Sequence, residues 1–379
     1  MSVPSRALRE RIIDLEVAEN DVAHGRALRK TTPRKALGQL IPCPRSATEI
    51  LVAQNANRLA ELVPLRFARM LTDPVSFYRG SAAVMAADLA TGPSSGIEVM
   101  CCGDAHMWNF GVYAAPDRAL VFDLNDFDEA AAALWEWDIK RLITSAVIGG
   151  RHAGYQPKTI RALADRAVTV YQDALSEILG LNVLDRYYMR FQPEFYRKQM
   201  GTSLESVIER TLRRARKRIC AQVFGRIMAG GADGASRPQE NPPKLQHVEL
   251  DAEGHLVESF REYLTAVSAD IALLLSHFRV TDLALRVVGV GSVGTRCYLA
   301  ILTGPEGTLL ILQIKEANRS VLDEYGGVEQ PRGLRNVIEA QGQGVRVVEG
   351  QRVLQAVSDV FLGAARTTAG TATCGSSTT

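Results

Sequence analysis

The chain has 379 residues, 46% of them apolar and 23% charged, with a formal net charge of +2. Those proportions belong to a folded globular protein with room for two lobes, and they exclude a disordered chain. The near-neutral charge excludes a global pull on nucleic acid or membrane, so an anionic partner has to be met by a local patch.

The opening MSVPSRALRERIIDLEVAEN breaks its apolar residues with charge, unlike a signal peptide, and no later apolar run reaches the roughly 18 residues of a spanning helix. The expectation is a cytoplasmic protein without a membrane partner. Cysteines at 43, 101, 102, 220, 297 and 374 lack a C-x-x-C pair or zinc-type spacing and read as buried small hydrophobes.

Residues 1–47 mix charge with proline and read as an N-terminal arm holding at most one short helix. From Ile50 to Leu71, Leu51, Leu59, Leu62, Val63, Leu65, Phe67 and Met70 recur at helical intervals and predict a helix. IEVMCC and ALVFDL read as short buried strands flanking the turn YAAPDRA; WEWDIKRLITSAVIGG and PKTIRALADRAVTVYQDALSEILG are helical in spacing. Residues 48–228 thus form a mainly helical lobe, ending near the basic run ERTLRRARKRICAQVFGR.

Glycine and proline make 229–244 a flexible loop. In 245–363 the residues Phe260, Tyr263, Leu264, Val267, Ile271, Leu274, Leu275 and Phe278 predict one amphipathic helix, followed by strand-like LRVVGV, CYLAILT and TLLILQI. Residues 364–379 are small and aperiodic and predict a disordered tail.

The chemistry concentrates in 101–129, which gathers Asp104, His106, Asn109, Asp123, Asp126, Asp128 and Glu129. Four carboxylates between Asp123 and Glu129 repel one another unless water or a cation neutralises them. Magnesium prefers oxygen ligands and takes one or two protein carboxylates beside phosphate oxygens. In extended backbone, Asp126 and Asp128 share one face while Asp123, Asn125 and Glu129 share the other. The competing reading is a solvated acidic loop that caps the next helix.

Asp104 precedes Asn109 by five residues, the spacing between the catalytic Asp and metal-binding Asn of kinase loops. His106 reads as a hydrogen-bonded structural histidine, and Trp135 and Trp137 as core. Farther on, VVGVGSVGTR supplies Gly289, Gly291 and Gly294, followed by strands and not by the helix of a dinucleotide fold. Lys315 ends an otherwise apolar strand, in the layout of a glycine-rich phosphate loop with its lysine. Glu339 and Glu349 are open as its partners.

CGDAHMWNFG resembles the catalytic loop of aminoglycoside- and choline-kinase-like enzymes, with Cys102 where they have His. DFDEA resembles their metal-binding segment, matching Asp126 to the metal Asp, and Asp138 in WEWDIKRL matches their loop-bracing Asp. Together with FYRGSAAVMAADLA, GVGSVGTRCY, LQIKEA and GQRVLQAVSDVFLG, these stretches resemble the bacterial family called domain of unknown function 2252, from about residue 35 to Gly363. That resemblance implies an α+β, protein-kinase-like two-lobed fold with rearranged motif order, since the glycine turn and lysine follow the catalytic-like loop. It also implies further helices beyond FLG, so the ending AARTTAGTATCGSSTT reads as a truncated or frameshifted terminus.

The function expected is Mg-ATP-dependent phosphoryl transfer to an unknown acceptor hydroxyl. Asp104 positions the acceptor, Asn109 and Asp126 bind Mg2+ with Asp123 in reserve, Lys315 contacts the ATP phosphates, and Gly289, Gly291 and Gly294 cover them. The alternatives are a nucleotide-binding pseudoenzyme or regulatory module, and AMP transfer. Nucleic-acid binding through Arg210, Arg213, Arg214, Arg216, Lys217 and Arg218 is the least favoured, because such helix faces are usually solvated and no stacking aromatics are interleaved.

Overall fold

The computed structural model describes residues 21–196, 202–218, 228–230, 236–248, 255–367 and 370–376. The architecture is α+β. Among the described residues of the N-terminal arm there is one helix, α1 (Asp21–Thr31), and a single 3-10 turn at Ala36–Gly38.

The helix expected over 50–71 is instead two helices, α2 (Ala47–Ala53) and α3 (Val63–Met70), separated by two 3-10 turns. Ser46 and Glu49 close a capping box at the start of α2, and Pro64 stands in the first turn of α3, where its missing N–H costs nothing. Gln54 and Asn55, in the break between them, accept hydrogen bonds from Arg66 at 2.9 and 2.8 Å. The break therefore folds polar side chains inward around a buried cation. Helices α4 (Pro74–Arg79) and α5 (Ala82–Ala90) follow.

Strand β1 (Glu98–Cys101) pairs antiparallel with β4 (Ala131–Leu134), and β2 (Phe110–Ala114) pairs with β3 (Leu120–Leu124). The two expected strands are thus present but are not each other's partners. β4 went unread because AAAL carries no strand propensity of its own; burial under Val321 and Leu322 makes it a strand. This arrangement makes 102–109 and 125–130 the two connections between the strand pairs, from β1 to β2 and from β3 to β4. Helices α6 (Trp135–His152) and α7 (Pro157–Leu179) agree with their spacing. Trp137 is core, and Trp135 stacks on Tyr171 with centroids 6.1 Å apart.

After α8 (Val183–Tyr187), α9 (Pro193–Tyr196) and α10 (Thr202–Arg218) comes a short hairpin, β5 (Met228–Gly230) with β6 (Ser236–Pro238), inside the stretch read as loop. The expected amphipathic helix is two, α11 (His255–Ala266) and α12 (Ala269–Leu275), because Ser268 takes extended backbone at the N-cap of the second.

Strands β7 (Leu245–His247), β8 (Arg279–Arg286), β9 (Cys297–Thr303), β10 (Leu309–Glu316), β11 (Gly363–Thr367) and β12 (Gly370–Ser376) form one antiparallel sheet in the order β11-β12-β10-β9-β8-β7. β8 stops at Arg286, so Val287–Val290 belongs to the glycine turn and not to a strand. Between the sheet's last two strands and β10 lie α13 (Val321–Glu324), α14 (Arg332–Gln341) and α15 (Gln343–Leu354).

The tail expected to be disordered supplies β11 and β12, with Ile314 facing Cys374 and Lys315 facing Thr373. Small residues suffice there because β10 offers an otherwise unpaired edge and Tyr263 supplies the bulk: a Cβ on Gly363 would meet its ring at 2.9 Å. Ala365 and Cys374 join Tyr263, Leu275, Leu302 and Leu312 in the sheet's core. The described cysteines are free, four of them buried; Cys220 lies outside the described residues.

Candidate functional site

The loop after β1 places Asp104 where Arg141 of α6 holds it. Oδ1 accepts from Arg141 Nε at 2.8 Å, with Nη2 2.7 Å away. Arg141 is itself fixed by donation to the Tyr78 carbonyl and by the Tyr78 ring, 3.9 Å below its guanidinium. Burial pushes the Asp104 carboxyl up to about 6, with Arg141 opposing and Asp126 adding to the shift.

Two backbone N–H groups, of Cys102 and Gly103, donate to the Asp138 carboxylate at 2.7 and 2.9 Å, so Asp138 braces the loop as the resemblance implies. Gly103 is required there: its φ is +82° and a side chain would run into Glu129. Asn109 Nδ2 donates to the carbonyls of Asp126 and Asp104 at 2.9 and 3.1 Å, tying the two loops together and leaving Oδ1 as the amide's metal-capable atom. Cys102 is a buried structural thiol at 3.3 Å from the Asp126 carbonyl.

His106 departs from its expected hydrogen-bonded role. Nδ1 is buried without a partner and Nε2 lies 3.7 Å from Asp104. Burial, then the charges of Arg141 and Arg79, pull it down to about 4, so it is neutral at pH 7.

Lys315 arrives from β10 and sets Nζ 3.5 Å from Asp126 Oδ1 and 3.4 Å from Asp128 Oδ2. Its partners are therefore the acidic loop itself. Glu349 pairs with Arg352 instead. Burial disfavours the ammonium, but the two aspartates outweigh it and hold Lys315 above its ordinary range. Burial, with the charge of Asp126, pushes Asp128 up to about 6. Glu129 rises to about 7 through burial, although Oε2 accepts from the Val321 N–H at 2.7 Å. Arg346, 1% exposed, donates to the carbonyls of Asp128, Ala130 and Asn318 and so fixes the loop from behind.

Asp123 is not brought in. Its Oδ2 accepts from the Ala356 N–H at 2.9 Å, and it lines a separate groove with Tyr187 and Arg190. Strand alternation explains this: Asp123 still belongs to β3, whose register with Gly111 turns it away from the loop.

The glycine turn covers the site unevenly. Gly291 passes so close to the Arg79 carbonyl that a Cβ would sit 3.0 Å from it. Gly289 and Gly294 have φ of +70° and +90°. Arg69 donates to the Gly289 carbonyl at 2.8 Å and Arg58 to that of Val293 at 2.6 Å. Gly289, Ser292, Thr295, Asp126 and Lys315 share one recess. The larger cleft beside it is lined by Asp104, Asp126, Asp128, Glu129 and Gly291, and by Arg58, Arg66 and Arg79.

These arginines escaped the sequence reading. A signal was present: Leu62, Arg66 and Met70 lie at helical intervals on one buried stripe, and an arginine with no exposed surface there needs a purpose. On α10, Arg213 pairs with Glu209 on an exposed face, the solvated arrangement expected of a basic helix.

Among the described residues no three of His, Cys, Asp and Glu gather into a self-sufficient metal site, and no helix is long and apolar enough to cross a membrane. The model of a family described as "Uncharacterized protein conserved in bacteria (DUF2252)" matches residues 58–373. No curated protein and no solved structure matches the chain.

Proposed function

The chain belongs to this bacterial family, whose description assigns no reaction, and we propose from the geometry of the cleft that it is a Mg-ATP-dependent phosphotransferase of kinase-like, two-lobed design. One observation carries the reading. Lys315, at the end of a strand-glycine turn-strand-turn-strand unit, reaches Asp126 and, 187 residues away in sequence, Asp128, beside a half-buried Asp104. The motif order is reversed along the chain, but the parts converge in space, which is all that catalysis requires.

Two carboxylates beside an ammonium suit magnesium, which completes its shell with phosphate oxygens and water. When bound with ATP, Mg2+ would neutralise phosphate charge, held by Asp126, Asp128 and Asn109 Oδ1. The chain's own residues do the rest. Lys315 orients the phosphates, and the turn at Gly289–Gly294 brings backbone N–H groups to them. Arg141 keeps Oδ1 of Asp104 occupied, so Oδ2 faces the acceptor. The acceptor oxygen bonds to the γ-phosphorus as the bond to the bridging oxygen breaks; ADP leaves and the acceptor's proton passes to Asp104.

Calorimetric titration with ATP tests the reading. Binding should require magnesium and weaken at least tenfold in Asp126→Asn; absent binding by folded wild-type protein defeats it. A nucleotide-binding module without transfer is the second reading, favoured by the fact that Asp104 and Lys315 already have ionic partners. Label at the γ-phosphate that never leaves ATP across an acceptor screen would select it, and label at the α-phosphate would reveal AMP transfer.

A further inference from the structure

We propose that Arg58, Arg66 and Arg79 form a second anion subsite that recognises a phosphomonoester on the acceptor. The hydroxyl delivered to Asp104 then belongs to a molecule that already carries a phosphate. The acceptor role rests on the phosphotransferase reading; the anion subsite itself does not.

The three guanidinium groups line one cleft with Asp104, and each has an Nε that is buried without a partner. Their other contacts are neutral. Arg58 donates to the Val293 carbonyl, and Arg66, 0% exposed, to Asn55, Gln54 and the carbonyls of Leu51 and Gly80. The Arg79 guanidinium takes no hydrogen bond or ion pair among the described residues. The cations beside the acidic loops behave differently: Arg141, Arg296 and Lys315 each lie within 4 Å of a carboxylate. Arg66 is fully buried and Arg58 and Arg79 half-buried, and although Glu129 and Glu316 attract Arg58 and Asp104 attracts Arg79, no carboxylate pairs directly with any of the three, so an arriving anion relieves part of their desolvation cost. Burial, then the charge of Arg58, pulls Arg66 down to about 9, which places the two cations within mutual repulsion.

Two features identify the anion. A carboxylate is matched by one guanidinium, as Asp104 is by Arg141; three converging forks suit the several oxygens and double charge of a phosphate. Under the phosphotransferase reading the nucleotide phosphates would take the recess of Gly289 and Lys315, which borders the arginine cleft and shares Asp126, Ser292 and Thr295 with it. Arg79 acts electrostatically on Asp104 itself, so a phosphate held there keeps the rest of the acceptor beside the base.

The test titrates inorganic phosphate, and separately MgATP, into wild-type protein, Arg79→Gln, Arg79→Lys and Lys315→Met, with thermal unfolding confirming that each is folded. Arg79 has no partner to lose, so its variants should fold. The proposal expects phosphate affinity to fall at least tenfold in Arg79→Gln, partly recover in Arg79→Lys and persist in Lys315→Met. It expects MgATP affinity in Arg79→Gln to stay within threefold of wild type. Phosphate that fails to bind wild type, or whose binding follows Lys315 and not Arg79, overturns the subsite. Failure of MgATP binding beside intact Arg79-dependent phosphate binding defeats the phosphotransferase reading, and with it the acceptor role, while the anion subsite stands.

Discussion

The two walls of the cleft handle charge in opposite ways. On the loop wall every acid has an internal counterpart: Asp104 has Arg141, Asp126 and Asp128 have Lys315, Glu129 has the Val321 N–H, and Asp138 has two loop N–H groups. On the helical wall Arg58 and Arg66 hydrogen-bond only to neutral oxygens and Arg79 to none among the described residues, with acids acting on them only from across the cleft. Under the proposed reading the paired wall would hold the reacting groups in place and the other would receive the acceptor's phosphate.

The sharpest way to break this contrast is Asp104→Ala. Turnover should fall by roughly 10²–10⁴ while MgATP binding is retained, as expected for loss of a positioned base. Unchanged turnover would remove Asp104 from the mechanism. Next is Arg346→Met, which leaves the carbonyls of Asp128, Ala130 and Asn318 without their buried donor. A loss of about 3 kcal/mol in denaturant unfolding is expected, and a change under about 0.5 kcal/mol would show that the loop stands without its clamp.

Asp138→Asn keeps one acceptor oxygen and turns an NH2 toward a loop N–H, so about 1–2 kcal/mol of stability should go. A smaller signature is the acid limb of the pH profile. Asp104 must be ionised to accept a proton, and burial holds it near 6, so turnover should rise with pH through about 6 and then level off. Stability should run the other way. Asp104, Asp128, Asp138 and Glu129 bind protons more tightly folded than unfolded, so their contribution is present near pH 4 and lost as pH rises through about 6 to 7. His106, depressed to about 4, opposes them with stability gained above that value. Four groups against one make a net fall in melting temperature over that window the expected result. The least effect belongs to Arg213→Ala, whose exposed pair with Glu209 should change stability by less than about 0.5 kcal/mol.

Much of the loop wall was legible because its residues are neighbours in sequence. Spacing singled out Asp104 and Asn109, and the family resemblance added Asp126 and Asp138; Asp104 and Asp126 line the cleft, while Asn109 ties their loops together and Asp138 braces one of them. Asp123 failed the same reasoning because one more residue of β3 pairing turns it toward Ala356. The tail failed because composition measures what a segment can bury alone. β11 and β12 bury little of their own and borrow the edge of β10 and the ring of Tyr263.

By itself, the sequence determined a chain of mixed helices and strands, helices α6 and α7, the two strands after the glycine turn with Lys315 on the second, and the acidic loop motif, because local spacing and backbone preference suffice for these. Tertiary structure alone decided that Lys315 pairs with Asp126 and Asp128, that β1 pairs with β4, and that three arginines from separate turns and helices share one cleft. Those are contacts between distant segments, set by burial and by which charges can be matched once the chain has closed on itself.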